Sequence, residues 1–351
     1  MKTFATSLDV NNEVCSYITS HHLPYYDETS IDDCDFISVH LRFHFNYEFD
    51  KKTYKRIVQS QKPIVIFDYL EYGDPAWHEE NAYSYLHGDR VFGYKWTAPT
   101  GCMLNYPEFV NLINGLKAAQ PQIKCYFMRE MSKLYDYTQC PFPVYPIDYC
   151  LADKALNVEI QSKEDYFKRQ IKIMFNWGNT CVDRRIMQWR LYKYCVDKNI
   201  NIADTEEQLK RHLAEKSSNI ICLFHRDYHE RIDINQYYAQ SKVIIDVGGC
   251  GVKCFRNTQS AMYAASTKHI CNLQFAYPWE DMFNCIELKV TDRNEILLKE
   301  SINKIHKCLN SDKDRLYAIY VNGVENARNY ISKTYINKYV NPRIYENIKP
   351  K

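Results

Sequence analysis

The sequence lacks several features that mark whole classes of protein. No stretch approaches the ~18 uninterrupted apolar residues of a membrane span, and the N-terminus has no long apolar core of the kind found in a secretory signal. The 45 basic and 43 acidic side chains nearly cancel, and the formal net charge of +2 gives no reason to expect nucleic acid or an anionic membrane as a partner. We therefore expect a cytoplasmic protein with no transmembrane segment and no nucleic-acid partner.

The cysteines lack the spacing of a disulfide framework or a zinc site. The 14 cysteines are spread over 351 residues without a CxxC pair, and the closest two, Cys250 and Cys254, have no matching pair of ligands nearby. We expect reduced, buried thiols and no bound metal.

Glycine is scarce, which makes one cluster conspicuous. Of only 10 glycines, three occupy the four positions 248–251, in "GGCG". The apolar run "KVIID" precedes them and a helix-like segment follows, so the cluster lies in a turn from a strand into a helix.

Strand-like and helix-like segments alternate in both halves of the chain, which indicates parallel sheets with helices on their faces. The fold class is therefore α/β, with two Rossmann-like doubly wound domains. Prolines and charged residues between 135 and 165 indicate the connection, so we predict domains at 1–165 and 166–332 and a tail at 333–351. Three local expectations are a strand with one polar face in 36–45, a helix at 256–267 and a strand at 268–273.

The glycine turn has the chemistry of a phosphate site. In doubly wound folds ligands bind beyond the carboxyl ends of strands, where a glycine turn into a helix offers free backbone N–H groups. Other candidates at the same edge are glycine, polar and basic residues that follow strands. The candidate donor-binding residues are Gly178, Asn179, Arg184, Arg226, Gly249, Gly251, Val252, Lys253 and Arg256. The alternatives are a purely structural turn and surface salt bridges for the arginines.

The stretch "YYAQSKVIIDVGGCGVKCFRNTQSAMYAAS" and the later "YPWEDMFNCIEL" resemble the donor-binding half of GT-B-fold glycosyltransferases. The resemblance covers roughly residues 170 to 330, and in the N-terminal half it extends to the architecture and to "KPIVIFDYLEYGD". It implies a cleft between the two domains, a nucleotide-sugar donor in the C-terminal domain, an acceptor in the N-terminal domain, and a tail that packs back on the N-terminal domain. Many such enzymes have a ribose-binding glutamate where this chain has Gln259, and glutamine can still accept a hydrogen bond.

Transfer with inversion needs a group that removes the proton of the acceptor hydroxyl. Asp68 and Glu71 follow a buried strand of the N-terminal half, and we expect one of them, or His44 on the preceding strand, to do this; His40 is a secondary candidate. Glu280 and Asp281 of "PWED" are candidates for the donor sugar. The alternatives are a turn or helix cap for Asp68 and a surface turn for "PWED".

The sequence thus predicts a metal-independent glycosyltransferase, a hexosyl- or pentosyltransferase of glycan synthesis. Its co-substrate is a nucleotide sugar, and no further cofactor is expected. The expected acceptor is a carbohydrate or glycan, while a lipid-linked sugar, a protein and a modified DNA base stay open as acceptors. Two alternatives stay open: a nucleotide-sugar epimerase or hydrolase on the same fold, and a non-catalytic carbohydrate- or nucleotide-binding protein.

Overall fold

The computed structural model describes most of both halves of the chain. The described residues are 1–10, 27–41, 48–69, 106–129, 131, 133, 136–151, 157–176, 192–195, 200–223, 234–246, 255–268, 270, 273–288 and 295–349. They form two compact units. The first comprises Met1–Cys150, Asn272–Ala276 and Ser332–Lys351, and the second comprises Leu151–Cys271 and Tyr277–Ile331.

The sequence had suggested a boundary at residue 165. The N-terminal part of the first unit instead ends at Cys150, and Leu151 begins the second unit. The segment after Cys150 is bonded within the second unit: the Leu151 N–H donates to the carbonyl of Tyr330 at 2.7 Å, and the Tyr317 hydroxyl donates to the carbonyl of Gln161 at 2.8 Å. The C-terminal segment Ser332–Lys351 belongs to the first unit, where the Tyr339 hydroxyl donates to the carbonyl of Pro146 at 2.9 Å.

The first unit contains a parallel sheet with strands in the order β2-β1-β3-β4-β5-β6. Its strands are β1 (Lys2–Thr6), β2 (Asp27–Glu28), β3 (Phe36–Leu41), β4 (Ile64–Asp68), β5 (Ile123–Met128) and β6 (Val144–Pro146). The chain passes from β1 to β2 on one side of it and then returns to β3 on its other side. The direction in which strands are added to the sheet therefore reverses between β1 and β3. Ligands of open α/β sheets bind at such a point.

Strand β3 is buried on both faces, so the expectation of one polar face was wrong within 36–41. It lies inside the sheet between β1 and β4, where neither face meets water. Two polar residues of this strand have internal contacts: Ser38 accepts a hydrogen bond from the Thr3 hydroxyl at 3.1 Å, and His40 Nε2 lies 3.2 Å from the Ser38 hydroxyl.

The second unit contains a parallel sheet with strands in the order β12-β11-β10-β7-β9-β8. Its strands are β7 (Ile171–Asn176), β8 (Asn201–Ala203), β9 (Ile220–Cys222), β10 (Ser241–Asp246), β11 (Ala265–Lys268) and β12 (Ile286–Glu287). From β7 the chain builds one side of the sheet and then returns to β10 on the other side. The switch point of this sheet therefore lies between β7 and β10.

Helices accompany the strands in both units, as in a doubly wound fold. They are α1 (Lys51–Ser60), α2 (Tyr106–Ala118), α3 (Lys163–Lys168), α4 (Glu206–Ala214), α5 (Ile234–Tyr238), α6 (Phe255–Ala261), α7 (Glu295–Asn310), α8 (Lys313–Arg328), α9 (Ser332–Tyr335) and α10 (Asn341–Ile348), with a π-helix at Ile336–Val340 and 3-10 turns at Gln120–Gln122 and Tyr137–Gln139. Their ends follow local chemistry. The Asp50 carboxylate accepts the backbone N–H groups of Lys52 and Thr53 at the start of α1, and Thr205 and Gln208 form a capping box at the start of α4.

The expectations for the segment after the glycine turn were wrong. Helix α6 ends at Ala261 instead of continuing to residue 267. Strand β11 follows at Ala265–Lys268 and ends at residue 268, where a strand had been expected to begin. The small residues of "AASTK" fit a strand because Ala265 and Ser266 pair with Val243 and Ile244 of β10, buried within the sheet. Tertiary packing here overrides helix propensity.

In the described part of the chain, no helix is long and apolar enough to cross a membrane.

Candidate functional site

The candidate donor site begins at the switch point of the second sheet. The last residues of β7 and β10, Asn176 and Asp246, are partners in the parallel ladder. The segments that continue from these two positions therefore start side by side at the carboxyl edge of the sheet. They carry most of the predicted donor-binding residues. Gly178, Asn179, Arg184, Arg226, Gly249, Gly251, Val252 and Lys253 lie outside the described residues.

The helix after the glycine turn is described from Phe255 onward. Arg256 lies in its first turn, with its side chain outside the described part. Gln259 is half-buried, and its Nε2 donates to the Asn235 Oδ1 of α5 at 2.7 Å. This bond orients the amide, and within the described residues the Gln259 Oε1 accepts no hydrogen bond. Gln259 thus offers an acceptor on α6, the property that contact with a ribose hydroxyl requires.

A buried polar network surrounds the last residue of β10. The hydroxyl of Ser260, on α6, donates to Asp246 Oδ2, and the Lys268 ammonium lies 3.8 Å from the same oxygen. The Thr267 hydroxyl lies 2.8 Å from the backbone N–H of Asp246 and 3.3 Å from its carbonyl. Lys268 also lies 4.8 Å from the ring centroid of the buried Trp279, a cation–π distance.

Sequence analysis missed this network. The sequence analysis placed Asp246 at the end of one predicted strand and Lys268 at the start of another, without connecting the two residues. The only available signal was the charge itself, since aspartate and lysine in otherwise apolar strands are buried only when they are paired.

The "PWED" residues have identifiable local contacts. Asp281 accepts the backbone N–H of Glu287 at 2.8 Å and forms an ion pair with Lys304 of α7. Glu280 is exposed, and its backbone N–H donates to the Asn284 Oδ1 at 2.7 Å. A contact with the donor sugar stays a prediction for both.

Asp68 ends β4 in the first unit and is completely buried. Its Oδ2 accepts the hydroxyl of Tyr126 from β5, and its carbonyl accepts the backbone N–H of Arg129 at 2.9 Å. Its role as a base stays a prediction. Glu71 and His44 lie outside the described residues.

His40 belongs to the interior of the first sheet. Its ring stacks on Phe67 at 4.9 Å and on Tyr69 at 6.2 Å, centroid to centroid. Burial lowers the pKa of His40 to about 3, so the imidazole is neutral at physiological pH.

Arg129, which sequence analysis did not single out, lies at the carboxyl edge of the first sheet, as Asp68 does. Arg129 follows β5 and is buried, its Nη1 donates to the Tyr149 hydroxyl at 2.7 Å, and its guanidinium lies 5.6 Å from the Tyr149 ring centroid. Tyr149 in turn stacks on Tyr69 at 6.3 Å. The position of Arg129 directly after a strand could have identified it.

Among the described residues, no group of three or more His, Cys, Asp and Glu side chains could hold a metal ion.

No protein-family model matches the chain, and no curated protein matches it in sequence. Solved structures do match it in fold. HepE (Alr3699) of Anabaena, crystallised with UDP, is 12% identical with a TM-score of 0.51, and the match covers 95% of this chain and 82% of HepE.

Two further likenesses have TM-scores below 0.5. An alpha-glucosyltransferase in complex with UDP-glucose and DNA containing an abasic site is 8% identical at a TM-score of 0.47, over 91% of this chain and 82% of that protein. The pneumococcal O-GlcNAc transferase GtfA, in complex with UDP and GlcNAc, is 11% identical at 0.46, over 95% of this chain and 59% of GtfA.

The HepE likeness, together with the two parallel sheets, confirms the fold that the sequence resemblance implied: two Rossmann-like units of the GT-B type. The expectation of no nucleic-acid partner stays a prediction.

Proposed function

We propose that the chain is a nucleotide-sugar-dependent glycosyltransferase that transfers a hexosyl or pentosyl group to an acceptor hydroxyl. The second unit binds the donor and the first binds the acceptor. The observation that carries the proposal is the coincidence of the glycine-rich segment 247–254 with the carboxyl end of β10, at the switch point of the second sheet. The shared fold with HepE, a protein solved in complex with UDP, supports a nucleotide as the ligand.

The donor has two chemical features to be recognised. Its diphosphate suits the N–H groups of a glycine turn together with Lys253 and Arg256. Its ribose hydroxyls are donors, and the Gln259 Oε1 is an acceptor whose amide is already oriented by Asn235. Preorganised groups of this kind bind a ligand at low entropic cost.

In the reaction, the acceptor oxygen forms a bond to the anomeric carbon of the donor while the bond from that carbon to the diphosphate oxygen breaks. The electron pair leaves with the nucleoside diphosphate, whose growing negative charge Lys253, Arg256, Arg184 and Arg226 would stabilise without a metal. If the configuration inverts, a base takes the hydroxyl proton. Since Asp68 is fully buried and bonded to Tyr126, we rank Glu71 and His44 ahead of it as the base.

The first test is a thermal-shift screen against UDP, GDP, CMP and their sugar conjugates, with and without EDTA. A ligand that binds only the folded state raises the melting temperature by mass action. We expect one nucleotide base to raise it, and an equal shift in EDTA. No shift with any of them contradicts the proposal.

Gln259→Met tests the ribose contact. Methionine keeps the length of the side chain but removes the acceptor, and losing one neutral hydrogen bond weakens nucleotide binding by about 2- to 13-fold. Gln236→Met, at an exposed position of α5, is the matched control and should leave affinity unchanged. Equal affinities of the two variants would exclude the contact.

Turnover separates the proposal from its alternatives. A transferase releases nucleoside diphosphate faster when an acceptor sugar is added. A hydrolase or epimerase converts the nucleotide sugar without an acceptor, and a binding protein shows the thermal shift without any product in chromatography.

A further inference from the structure

Cationic side chains gather at the amino edge of the second sheet, the edge opposite the candidate donor site. Lys172 and Lys242 are the second residues of β7 and β10, the two central strands, and both are half-buried. The ladder pairs before and after these lysines place the two residues beside each other. Like charges side by side on neighbouring strands repel each other and lower the stability of a sheet.

A buried arginine adds a third positive charge at this edge. Arg169 precedes β7 and is 8% exposed. Its contacts are with neutral groups: the carbonyls of Ser241 and Tyr263, the side-chain oxygen of Gln161, and the rings of Tyr166 and Tyr320. Buried charges are usually paired, but none of these contacts brings a carboxylate to the guanidinium. The contacts thus hold the charge in place without neutralising it.

Lys313, the first residue of α8, completes the cluster. It is exposed, and its ammonium lies 5.8 Å from the ring centroid of Phe167. Burial lowers the pKa of Lys242, and the positive charges of Lys313, Lys172 and Arg169 lower it further. An anion bound at this place would stabilise all of these charges at once.

The carboxylates of α3 and of the start of α8 already have partners. Three of them are in ion pairs, namely Asp314 with Lys163, and Glu164 and Asp165 with Lys168. Asp312 accepts the backbone N–H of Arg315 at the start of α8. Across the described ranges, Lys172, Lys242 and Lys313 form no ion pair of their own. The cluster therefore carries positive charge that these carboxylates do not neutralise.

We propose that Lys172, Lys242 and Lys313 bind a phosphoryl group, of a small phosphate anion or a phospholipid headgroup, at the amino edge of the second sheet. Three ammonium groups match the double charge of a phosphoryl group better than the single charge of a carboxylate, and lysine binds phosphate as a point charge. The fixed charge of Arg169 adds to the field that attracts the anion.

This phosphoryl site is separate from the candidate donor site and does not rest on the proposed function. Lys242 precedes Asp246, the last residue of β10, by roughly 13 Å at the rise of a strand. A ligand at the amino edge therefore leaves the carboxyl edge free for a nucleotide sugar.

The first experiment is a thermal-shift titration with inorganic phosphate and with pyrophosphate, at an ionic strength kept constant with sodium chloride. It compares the wild type with Lys172→Met, Lys242→Met and the control Lys307→Met, which removes one exposed lysine from the last turn of α7. Without phosphate, Lys242→Met should melt at a higher temperature than the wild type, because the repulsion is relieved. The half-maximal concentration of pyrophosphate should rise about tenfold in both strand variants and stay unchanged in Lys307→Met. Equal titrations of all four proteins overturn the site.

The second experiment reads the same site in the wild type, so it does not depend on the folding of a variant. Lysine side chains are acetylated with a limiting amount of reagent, with and without pyrophosphate, and the modified peptides are quantified by mass spectrometry. A bound anion covers the ammonium groups and favours their charged, unreactive form. Acetylation of Lys172, Lys242 and Lys313 should therefore slow about tenfold relative to Lys307. Equal slowing of all four lysines contradicts the proposal.

Two further arms identify the source of the phosphoryl group and separate the two sites. Co-sedimentation of the wild type, but not of Lys242→Met, with vesicles of phosphatidylcholine and phosphatidic acid assigns the site to a lipid headgroup. A response to soluble phosphates alone assigns it to a small anion, and no response to either overturns it. The affinity for UDP should be equal in the wild type and Lys242→Met, and a fall overturns the separation of the sites. No UDP binding by the wild type contradicts the proposed function and leaves the phosphoryl site standing.

Discussion

His40 makes the stability of the first unit depend on pH in a way that can be removed by one substitution. Its imidazole is buried and stacks on Phe67 and Tyr69, and within the described residues its Nδ1 has no hydrogen-bond partner. Burial lowers the pKa of His40 from 6.5 to about 3, with no contribution from a neighbouring charge. In the unfolded chain the same group titrates near its ordinary pKa of about 6.5.

The sign follows from the lowered pKa. Well above pH 6.5 the imidazole is neutral in both the folded and the unfolded state, so it does not change the free energy of unfolding. Below pH 6.5 the unfolded chain takes up a proton that the folded unit does not take up until its pKa of about 3, so stability falls as the pH falls through this window. Relative to pH 7.5, the loss from this one group is about 1.4 kcal/mol at pH 5.5 and about 2.7 kcal/mol at pH 4.5.

His40→Phe keeps a stacked ring and removes the titration. Urea unfolding at pH 7.5 and 5.5, followed by hydrogen-exchange mass spectrometry of peptides from each unit, gives the free energy of unfolding of the first unit separately. We expect the variant to lose about 1.4 kcal/mol less than the wild type between the two pH values. Phe67→Leu is the matched control: it damages the same stack but should show the pH dependence of the wild type. Equal losses of unfolding free energy in His40→Phe and the wild type would contradict a lowered pKa for His40 in the folded unit.

Two predictions concern the second unit. Arg169 donates to the carbonyls of Ser241 and Tyr263, both at 2.6 Å, and its guanidinium lies 4.5 Å from the Tyr166 ring centroid. Lysine cannot reproduce this geometry, so Arg169→Lys should lower the free energy of unfolding in urea by about 1.5–3 kcal/mol; an unchanged midpoint would contradict this. A Cβ on Gly323 would lie 2.9 Å from the backbone carbonyl oxygen of Asn284. Gly323→Ala should therefore lower the melting temperature, although alanine is the better helix former. A higher melting temperature would mean that the helix moves away from Asn284 without cost.

The sequence predicted the fold well where strands are long and apolar. "PIVIFDYL" and "IKCYFMRE" contain β4 and β5, because fully buried parallel strands are continuous hydrophobic runs. It failed for short strands such as β11, whose conformation depends on the neighbouring strands. The small residues of "ASTK" suit a helix equally well, and pairing with β10 and β12 makes the segment a strand.

The site could be located but not completed from sequence. Glycines and basic residues near one strand end are visible in the chain, whereas the partners of Asp246 come from two other elements and are joined only by folding. For the same reason the hydrogen bond between Tyr126 and Asp68 could not be foreseen, although it bears directly on whether that carboxylate can act as a base.

The most direct test of the account is hydrogen exchange of the whole chain with and without the nucleotide that the thermal-shift screen selects. We expect the nucleoside diphosphate to slow exchange in 247–254 and in the first turn of α6, because their backbone N–H groups would bind the diphosphate in the proposed site. Protection confined to other segments, or none with any of the nucleotides tested, would contradict the assignment of the donor to the glycine turn.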